Sequence, residues 1–223
     1  IPLFNESESL KELDDWISLS FKYKDLDYEV VYIDDGSIDS SWDIIKSISQ
    51  NNSNRKGISF IKNYGKSQAL RVGFSEAKGK YIATLDADLQ DSPEEIPLMI
   101  KKLIDNDLDL ISGWKKKRYD SFITKRIPSY FFNLVAKVFS GINLNDFNCG
   151  IKVYKKEVAK SISLYADMHR FIPILAKNQG FNRIGEHVVK HQPRKYGKTK
   201  FGNERFIRGF LDIITLWFTE KFG

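Results

Sequence analysis

Residues 81–96 read YIATLDADLQDSPEEI, an apolar run that stops in Asp86, Asp88 and Asp91. Two carboxylates one residue apart can share a hard divalent cation. Mg²⁺ in particular takes one or two protein carboxylates and fills its remaining positions with waters and substrate phosphates. Asp86 and Asp88 therefore imply a ligand that carries a diphosphate. An Asp at a strand end also serves as a helix cap. Here Pro93 marks the helix start, so Asp91 or Ser92 suits that work better, with Glu94 and Glu95 at the positive end of the helix. Two basic segments, Trp114 to Arg118 and the later HQPRKYGKTKFGNER, each follow an expected strand. Arg and Lys brought together from separate loops are suited to one anionic ligand.

Other phosphate and metal chemistries are excluded by spacing. Gly65-Lys66-Ser67 resembles the end of a P-loop, but the glycine required five positions earlier is Phe60. At Gly197-Lys198-Thr199 that position is Gln192. No G-x-G-x-x-G follows a strand, which argues against a dinucleotide-binding fold. His169, His187 and His191 are too scattered for a zinc site.

The elements that must position these groups follow from hydrophobic pattern. Residues 29–33, 58–61, 81–85 and 108–112 read as buried strands, and 37–50, 67–78 and 93–106 as helices between them. This alternation predicts an α/β fold with a mostly parallel central sheet covered by helices. Ligands of such sheets lie beyond the carboxyl ends of the strands, where Asp34-Asp35-Gly36, Asn63 to Lys66 and Asp86-Ala87-Asp88 all fall. After Gly113 the chain turns basic and aromatic. A helix at SYFFNLVAKVF, a strand at 151–154, a helix near 171–179, a strand near 182–190 and a C-terminal amphipathic helix are expected.

The 223 residues, 42% hydrophobic and 29% charged, suit one domain. It divides into 1–113, the half that carries the strand-end acids, 114–205, the basic half, and 206–223, the amphipathic helix. A net charge of +6 favours anionic partners. Cys149 is the only cysteine, which rules out an intrachain disulfide. No apolar run reaches the ~18 residues of a membrane span, and no signal peptide is present. The aromatic-rich FLDIITLWFTEKFG stops without a cap, so membrane segments are expected to follow it.

Taken in order, IPLFNE, YIDDGSIDSS, NYGKSQALRVGFSEAKG and LDADLQDSPEEI resemble the inverting nucleotide-sugar glycosyltransferases of the A-type, Rossmann-like fold. SGWKKKRYDSFITKRIPS, DFNCGIKVYKKEV, MHRFIP and HQPRKYGKTKFG are similar to their polyprenyl-phosphate branch, which includes dolichol-phosphate mannose synthase and bacterial undecaprenyl-phosphate sugar transferases. The resemblance implies that Pro2, Asn5 and Glu6 line the nucleotide pocket, that Asp34 and Asp35 hold base and ribose, and that Lys66, Asp86 and Ala87 meet the nucleotide sugar. It implies Mg²⁺ or Mn²⁺ on Asp86 and Asp88 with Gln90 assisting. Lys115, Arg126, Ser129, Arg194 and Lys198 would surround the acceptor phosphate or the leaving diphosphate. Lys115 stands where relatives often carry Arg, and Lys does not bind phosphate in the bidentate way that Arg does.

Asp88, Arg126 and Asp146 are the implied catalytic residues, Asp146 either positioning sugar hydroxyls or serving as a loop-turn Asp. A phosphate acceptor, with a second pKa of about 6, needs no general base. The partners implied are a nucleotide-sugar donor, a polyprenyl phosphate and a membrane surface at the cytoplasmic face, without nucleic acid; a homo-oligomer is compatible with the sequence. Phe131, Phe132, Val135, Val138 and Phe139, and Phe206, Phe210, Ile213, Ile214 and Trp217, form faces that either lie in the membrane interface or pack on the sheet, with Lys125, Arg126, Arg205 and Arg208 beside them. Three other readings stand beside this one: a hydroxyl acceptor in polysaccharide synthesis, a basic nucleic-acid-binding module, and an inactive relative.

Overall fold

A computed structural model describes residues 1–22, 26–116 and 127–197, the side chains of 127–131 excepted. The strands are β1 (Pro2–Leu3), β2 (Val30–Asp34), β3 (Arg55–Ser59), β4 (Tyr81–Thr84), β5 (Leu110–Trp114), β6 (Lys152–Lys155) and β7 (Ile184–Val188). The helices are α1 (Ser7–Phe21), α2 (Ser41–Asn51), α3 (Lys66–Glu76), α4 (Glu95–Asp105), α5 (Ile127–Ser140), α6 (Lys156–Ser161) and α7 (Ile172–Asn178). The expected helix near 171–179 is therefore α7, entered through a 3-10 turn over Met168–Phe171.

The strands pair as β1-β2-β3 and as β4-β6-β5-β7. β1, β2 and β3 run parallel, as do β5 and β7, while β6 is antiparallel to both β4 and β5. The strands thus form two hydrogen-bonded sheets, within each of which they run in one direction except for β6. Because β6 lies between β4 and β5, the acidic first half and the basic second half share one sheet.

Burial explains the elements. β2 (VVYID) is buried at every position, as expected of a strand covered on both faces. The strand expected at 58–61 lies at Arg55–Ser59 instead, in register with β2 from Val30↔Arg55 to Asp34↔Ser59. Its polar start hid it: Arg55 is buried, with Nε 2.5 Å from Asp14 Oδ1. Tyr32 donates its hydroxyl to that same oxygen at 2.7 Å. Three elements went unread in the sequence: the two-residue β1, α1 and α6. α1 buries Leu10, Leu13, Ile17 and Phe21, a helical stripe, and the short α6 buries Val158 and Ala159.

α4 begins at Glu95 after an N-cap at Glu94, and no side chain caps it. The cap expected from Asp91 or Ser92 is absent because both are buried, and Asp91 is engaged elsewhere. Between the facing sides of β2 and β4 lies an apolar slot of about 580 Å³, lined by Val31, Ala69, Gly73, Phe74, Ile82 and Ile100 among others.

Candidate active site

The charged groups of the cleft stand beyond the carboxyl end of a strand or at the start of the following helix. Asp86 and Asp88 follow β4, Lys66 opens α3, and Arg194 lies in the segment after β7. Lys66 Nζ is 2.5 Å from Asp86 Oδ1, and an Arg194 guanidinium nitrogen is 2.5 Å from Asp88 Oδ2. The structure thus brings the two acids expected to hold a metal together with two of the expected phosphate-binding cations. Burial opposes ionisation of Asp86, but the charges of Lys66 and Lys115 outweigh it and hold its carboxyl well below the usual range. Asp88 goes the other way. Burial and the Asp86 charge raise it, against Arg194 and the Gln90 N–H.

The local backbone is built for this placement. Leu89, between the acids and Gln90, is buried with φ of 61°, a conformation a branched side chain adopts only under constraint. Gly150 precedes β6, and a Cβ there would overlap the Asp86 carboxylate. The glycine of DFNCG therefore makes room for the acid.

A third acid lies beneath the pair. Asp91 is 1% exposed and bonded to Lys115 Nζ at 2.7 Å, with His191 Nδ1 3.6 Å away. Burial alone would raise Asp91, but Lys115 and His191 keep it below its ordinary value. Lys115, expected at an anionic ligand, is instead a buried counter-charge, because an unpaired buried carboxylate would be too costly.

Other expected contacts are used within the protein. Asp35 accepts the backbone N–H groups of Tyr64 and Gly65 at 2.7 and 2.9 Å. Asp34 accepts the Ser37 N–H and the Ser59 hydroxyl at 3.1 and 3.0 Å. Both are nearly inaccessible, so their carboxylates organise the loops after β2 and β3, where the sequence suggested ribose and base contacts. Asn5 accepts the Ile38 N–H through its side chain, with its own φ at 52°. Glu6 is 4.0 Å from Arg194. Pro2 lies in β1 and Ala87 is buried between the two acids. Gln90 donates its side-chain amide to the Gln192 carbonyl at 3.4 Å rather than joining the carboxylates.

Asp146 is 1% exposed and accepts the Asn148 N–H at 3.2 Å. Of the two roles open to it, the turn is the one this geometry displays. Arg126 and Lys198 lie outside the described residues, as do Lys125, Phe131's side chain, Ser129's side chain, Arg205, Phe206, Arg208, Phe210, Ile213, Ile214 and Trp217.

Sequence reasoning missed three supporting groups. Glu186 in β7 accepts the N–H groups of Asn145 and Asp146. Ser67 Oγ lies 3.1 Å from His169 Nδ1 and accepts the His169 backbone N–H, joining α3 to the 3-10 turn. Lys152, buried in β6, donates to the Cys149 carbonyl, and burial lowers its pKa. Only burial distinguishes Lys152 from the chain's many surface lysines.

The model for Glycosyl transferase family 2 matches residues 1–163. The chain is a family 2 glycosyltransferase. Relatives of this family 2 domain include "Dodecaprenyl-phosphate galacturonate synthase" from Rhizobium johnstonii, 33% identical over 100% of this chain and 66% of that protein. "Undecaprenyl-phosphate 4-deoxy-4-formamido-L-arabinose transferase" from Shewanella sediminis is 36% identical over 96% of this chain and 64% of that protein. The chain thus spans just under two thirds of the length of these relatives.

Among solved structures, glucosyl-3-phosphoglycerate synthase from Mycobacterium tuberculosis in complex with UDP superposes with a TM-score of 0.72 at 16% identity. That match covers 98% of this chain and 77% of the other. The same protein in complex with Mn²⁺, UDP-glucose and glycerol 3-phosphate gives 0.70 at 17% identity, over 98% of this chain and 77% of the other. These likenesses show the shared nucleotide-sugar transferase fold.

A divalent ion of the kind held by that neighbour fits the donor set of the family 2 domain. No group of three His, Cys, Asp or Glu suited to a metal occurs among the described residues. Asp86 and Asp88 supply two hard oxygen ligands, the usual protein share for Mg²⁺ or Mn²⁺ beside a phosphate substrate.

Proposed function

We propose that this domain transfers a sugar from a nucleoside-diphosphate sugar to a polyprenyl phosphate, with inversion at the anomeric carbon. The observation that carries the reading is the pairing of Asp86 and Asp88 with Lys66 and Arg194 at the carboxyl ends of the strands. Two carboxylates and two cations in one cleft suit a diphosphate that arrives with a divalent ion. The acceptor class follows from the relatives, whose names specify dodecaprenyl and undecaprenyl phosphate.

Asp86 and Asp88 would hold the ion, which when bound offsets the charge developing on the departing diphosphate. Lys66 and Arg194 reach the same charge from two sides and hold the leaving group in place. A phosphate monoester with a pKa of about 6 reaches the site already anionic and attacks without surrendering a proton to the protein. Arg126, Ser129 and Lys198 would gather around the acceptor phosphate.

The test is transfer of radiolabelled sugar from UDP- and GDP-sugars into solvent-extractable lipid, with undecaprenyl phosphate and Mn²⁺ supplied. Asp88→Ala should lower the rate on the order of 100-fold or more, and EDTA should abolish transfer. Product formed on free oligosaccharide, with none on the lipid phosphate, would replace this reading with the hydroxyl-acceptor one.

A further inference from the structure

Three acids lie in and beneath the cleft, and each has a cation. The three pairs are not alike. Lys115–Asp91 is the most enclosed of them, its side chains 15% and 1% exposed, and bonded at 2.7 Å. Lys66–Asp86 and Arg194–Asp88 open on the cleft, with side-chain exposures of 27% and 30% in the first and 26% and 13% in the second. The buried pair is a fixed part of the floor; the two open pairs can exchange partners.

These open cations occupy oxygens that a divalent ion would use. Lys66 Nζ lies on Asp86 Oδ1 and the Arg194 guanidinium on Asp88 Oδ2, each at 2.5 Å. The four groups sum to zero charge. A dication entering alone would leave the cleft at plus two with both cations still in place. A diphosphate entering alone would face two carboxylates. When both enter, the carboxylates face the dication and the lysine and arginine face the diphosphate, so every charge has a partner. Half-buried charges are screened less than surface ones, which makes each mismatched combination costly.

The backbone permits such an exchange. Lys66 carries its amine on a flexible four-carbon stem from the first position of α3, and the Gly65 ahead of it is anchored through its N–H to Asp35. The segment bearing Arg194 is fixed behind it by the Asp91↔His191 bridge and by the Gln192 N–H donated to the Gln90 carbonyl. Both ends of the exchange have fixed backbones and mobile heads.

We infer that Lys66 and Arg194 are an internal counter-charge latch that couples cation binding to diphosphate binding. Each holds one carboxylate of the Asp86 and Asp88 pair until a diphosphate draws it away, Arg194 standing also 4.0 Å from Glu6. The inference rests on the reading of Asp86 and Asp88 as the donor's cation site, and it adds a sign. Removing a latch residue strengthens binding of the bare cation and weakens binding of the diphosphate. A lysine or arginine that contacted phosphate without occupying a carboxylate would alter the affinity for the bare cation only through its longer-range charge, an effect that added salt screens, whereas a direct pair is screened less. By linkage, the factor by which nucleotide tightens the cation equals the factor by which the cation tightens nucleotide.

The experiment is a titration of free Mn²⁺ by its electron paramagnetic resonance signal, using the whole chain, without nucleotide and with UDP or GDP. Wild-type chain, Lys66→Met, Arg194→Met, Lys66→Arg and Asp88→Asn are compared at equal concentrations, so that complexation of Mn²⁺ by nucleotide in solution is common to all. Circular dichroism checks that each variant is folded. The expected result is Mn²⁺ binding without nucleotide at least fivefold tighter in Lys66→Met and Arg194→Met than in wild type. Nucleotide should enhance that binding less in both, and Lys66→Arg, which keeps the charge, should bind bare Mn²⁺ no more tightly than wild type does. Unchanged or weaker binding of bare Mn²⁺ in the two methionine variants overturns the latch while leaving the cation site in place. If no Mn²⁺ binds wild type even with both nucleotides, or Asp88→Asn binds it equally well, the cation site itself falls, and the latch with it.

Discussion

At the residue scale the site depends on what each carboxylate is bonded to. Asp35 spends both oxygens on the N–H groups of Tyr64 and Gly65, which sets the entry to α3 and so the direction from which Lys66 approaches Asp86. Asp35→Ala should therefore cost stability, about 1 kcal/mol for two part-buried hydrogen bonds lost. It should also weaken nucleotide binding, measured by denaturant melts and calorimetry on the same sample. Far from the cleft, Asp109 illustrates the pH side of the same chemistry. Burial opposes its ionisation, but hydrogen bonds from Arg183 and Lys155 prevail and depress its pKa. A depressed carboxyl pKa stabilises the fold above the unfolded value of about 3.9, and that contribution fades as pH falls through the folded value. Asp109→Asn should thus cost roughly 1 kcal/mol or less at pH 7, given how exposed Arg183 is. The difference from wild type should shrink below about pH 4, as followed by urea melts across pH.

The same residues mark how far the sequence could be read. Asp86 and Asp88 were legible because two charges ending an apolar run have no structural task there. Asp91 was misassigned as a helix cap because its partner Lys115 is distant in sequence and comes from another strand end. Charge type is visible in a sequence, but burial is not. That is also why the bonds by which Asp34 and Asp35 organise their loops could not be read beside the ligand contacts expected of them.

At the scale of elements, the alternation of strands and helices was readable wherever the strands are wholly apolar, as in β2. β3 slipped because Arg55 enters the core with Asp14 as counter-charge, against the usual meaning of an arginine. The direction of β6 was not encoded in its pattern, since KVYK alternates in the same way whether its neighbours run with or against it. α3 carries a testable weakness. Gly73 lies within the helix and faces the apolar slot, where a Cβ would meet Ile33 Cγ1 at an ordinary 3.6 Å. Gly73→Ala should stabilise the fold by roughly 0.5–1 kcal/mol through backbone entropy, seen as a rise of about 1–4 °C in Tm. A fall in Tm would mean that the slot has no room for the methyl group.

At the scale of the whole molecule, the question is how the proposed diphosphate cleft would reach a lipid-phosphate acceptor held in a bilayer. No described helix is long and apolar enough to cross a membrane. α5 supplies a different kind of contact. Ala136 is buried, and Phe132 and Val135 pack against the core, so these two of the expected interfacial residues face inward. Leu134, Val138 and Phe139 remain 45%, 73% and 55% exposed beside Lys137. Exposed apolar side chains next to a lysine, on a chain of net charge +6, suit a helix lying at an anionic membrane surface. Val138→Asp combined with Phe139→Asp should lower co-sedimentation with vesicles containing phosphatidylglycerol about tenfold or more, because it removes buried hydrocarbon and adds two repelled charges. The same variant should bind UDP or GDP with Mn²⁺ as wild type does, since α5's exposed face is not part of the acid cleft. Loss of nucleotide binding together with vesicle binding would instead make α5 part of the fold that supports the site.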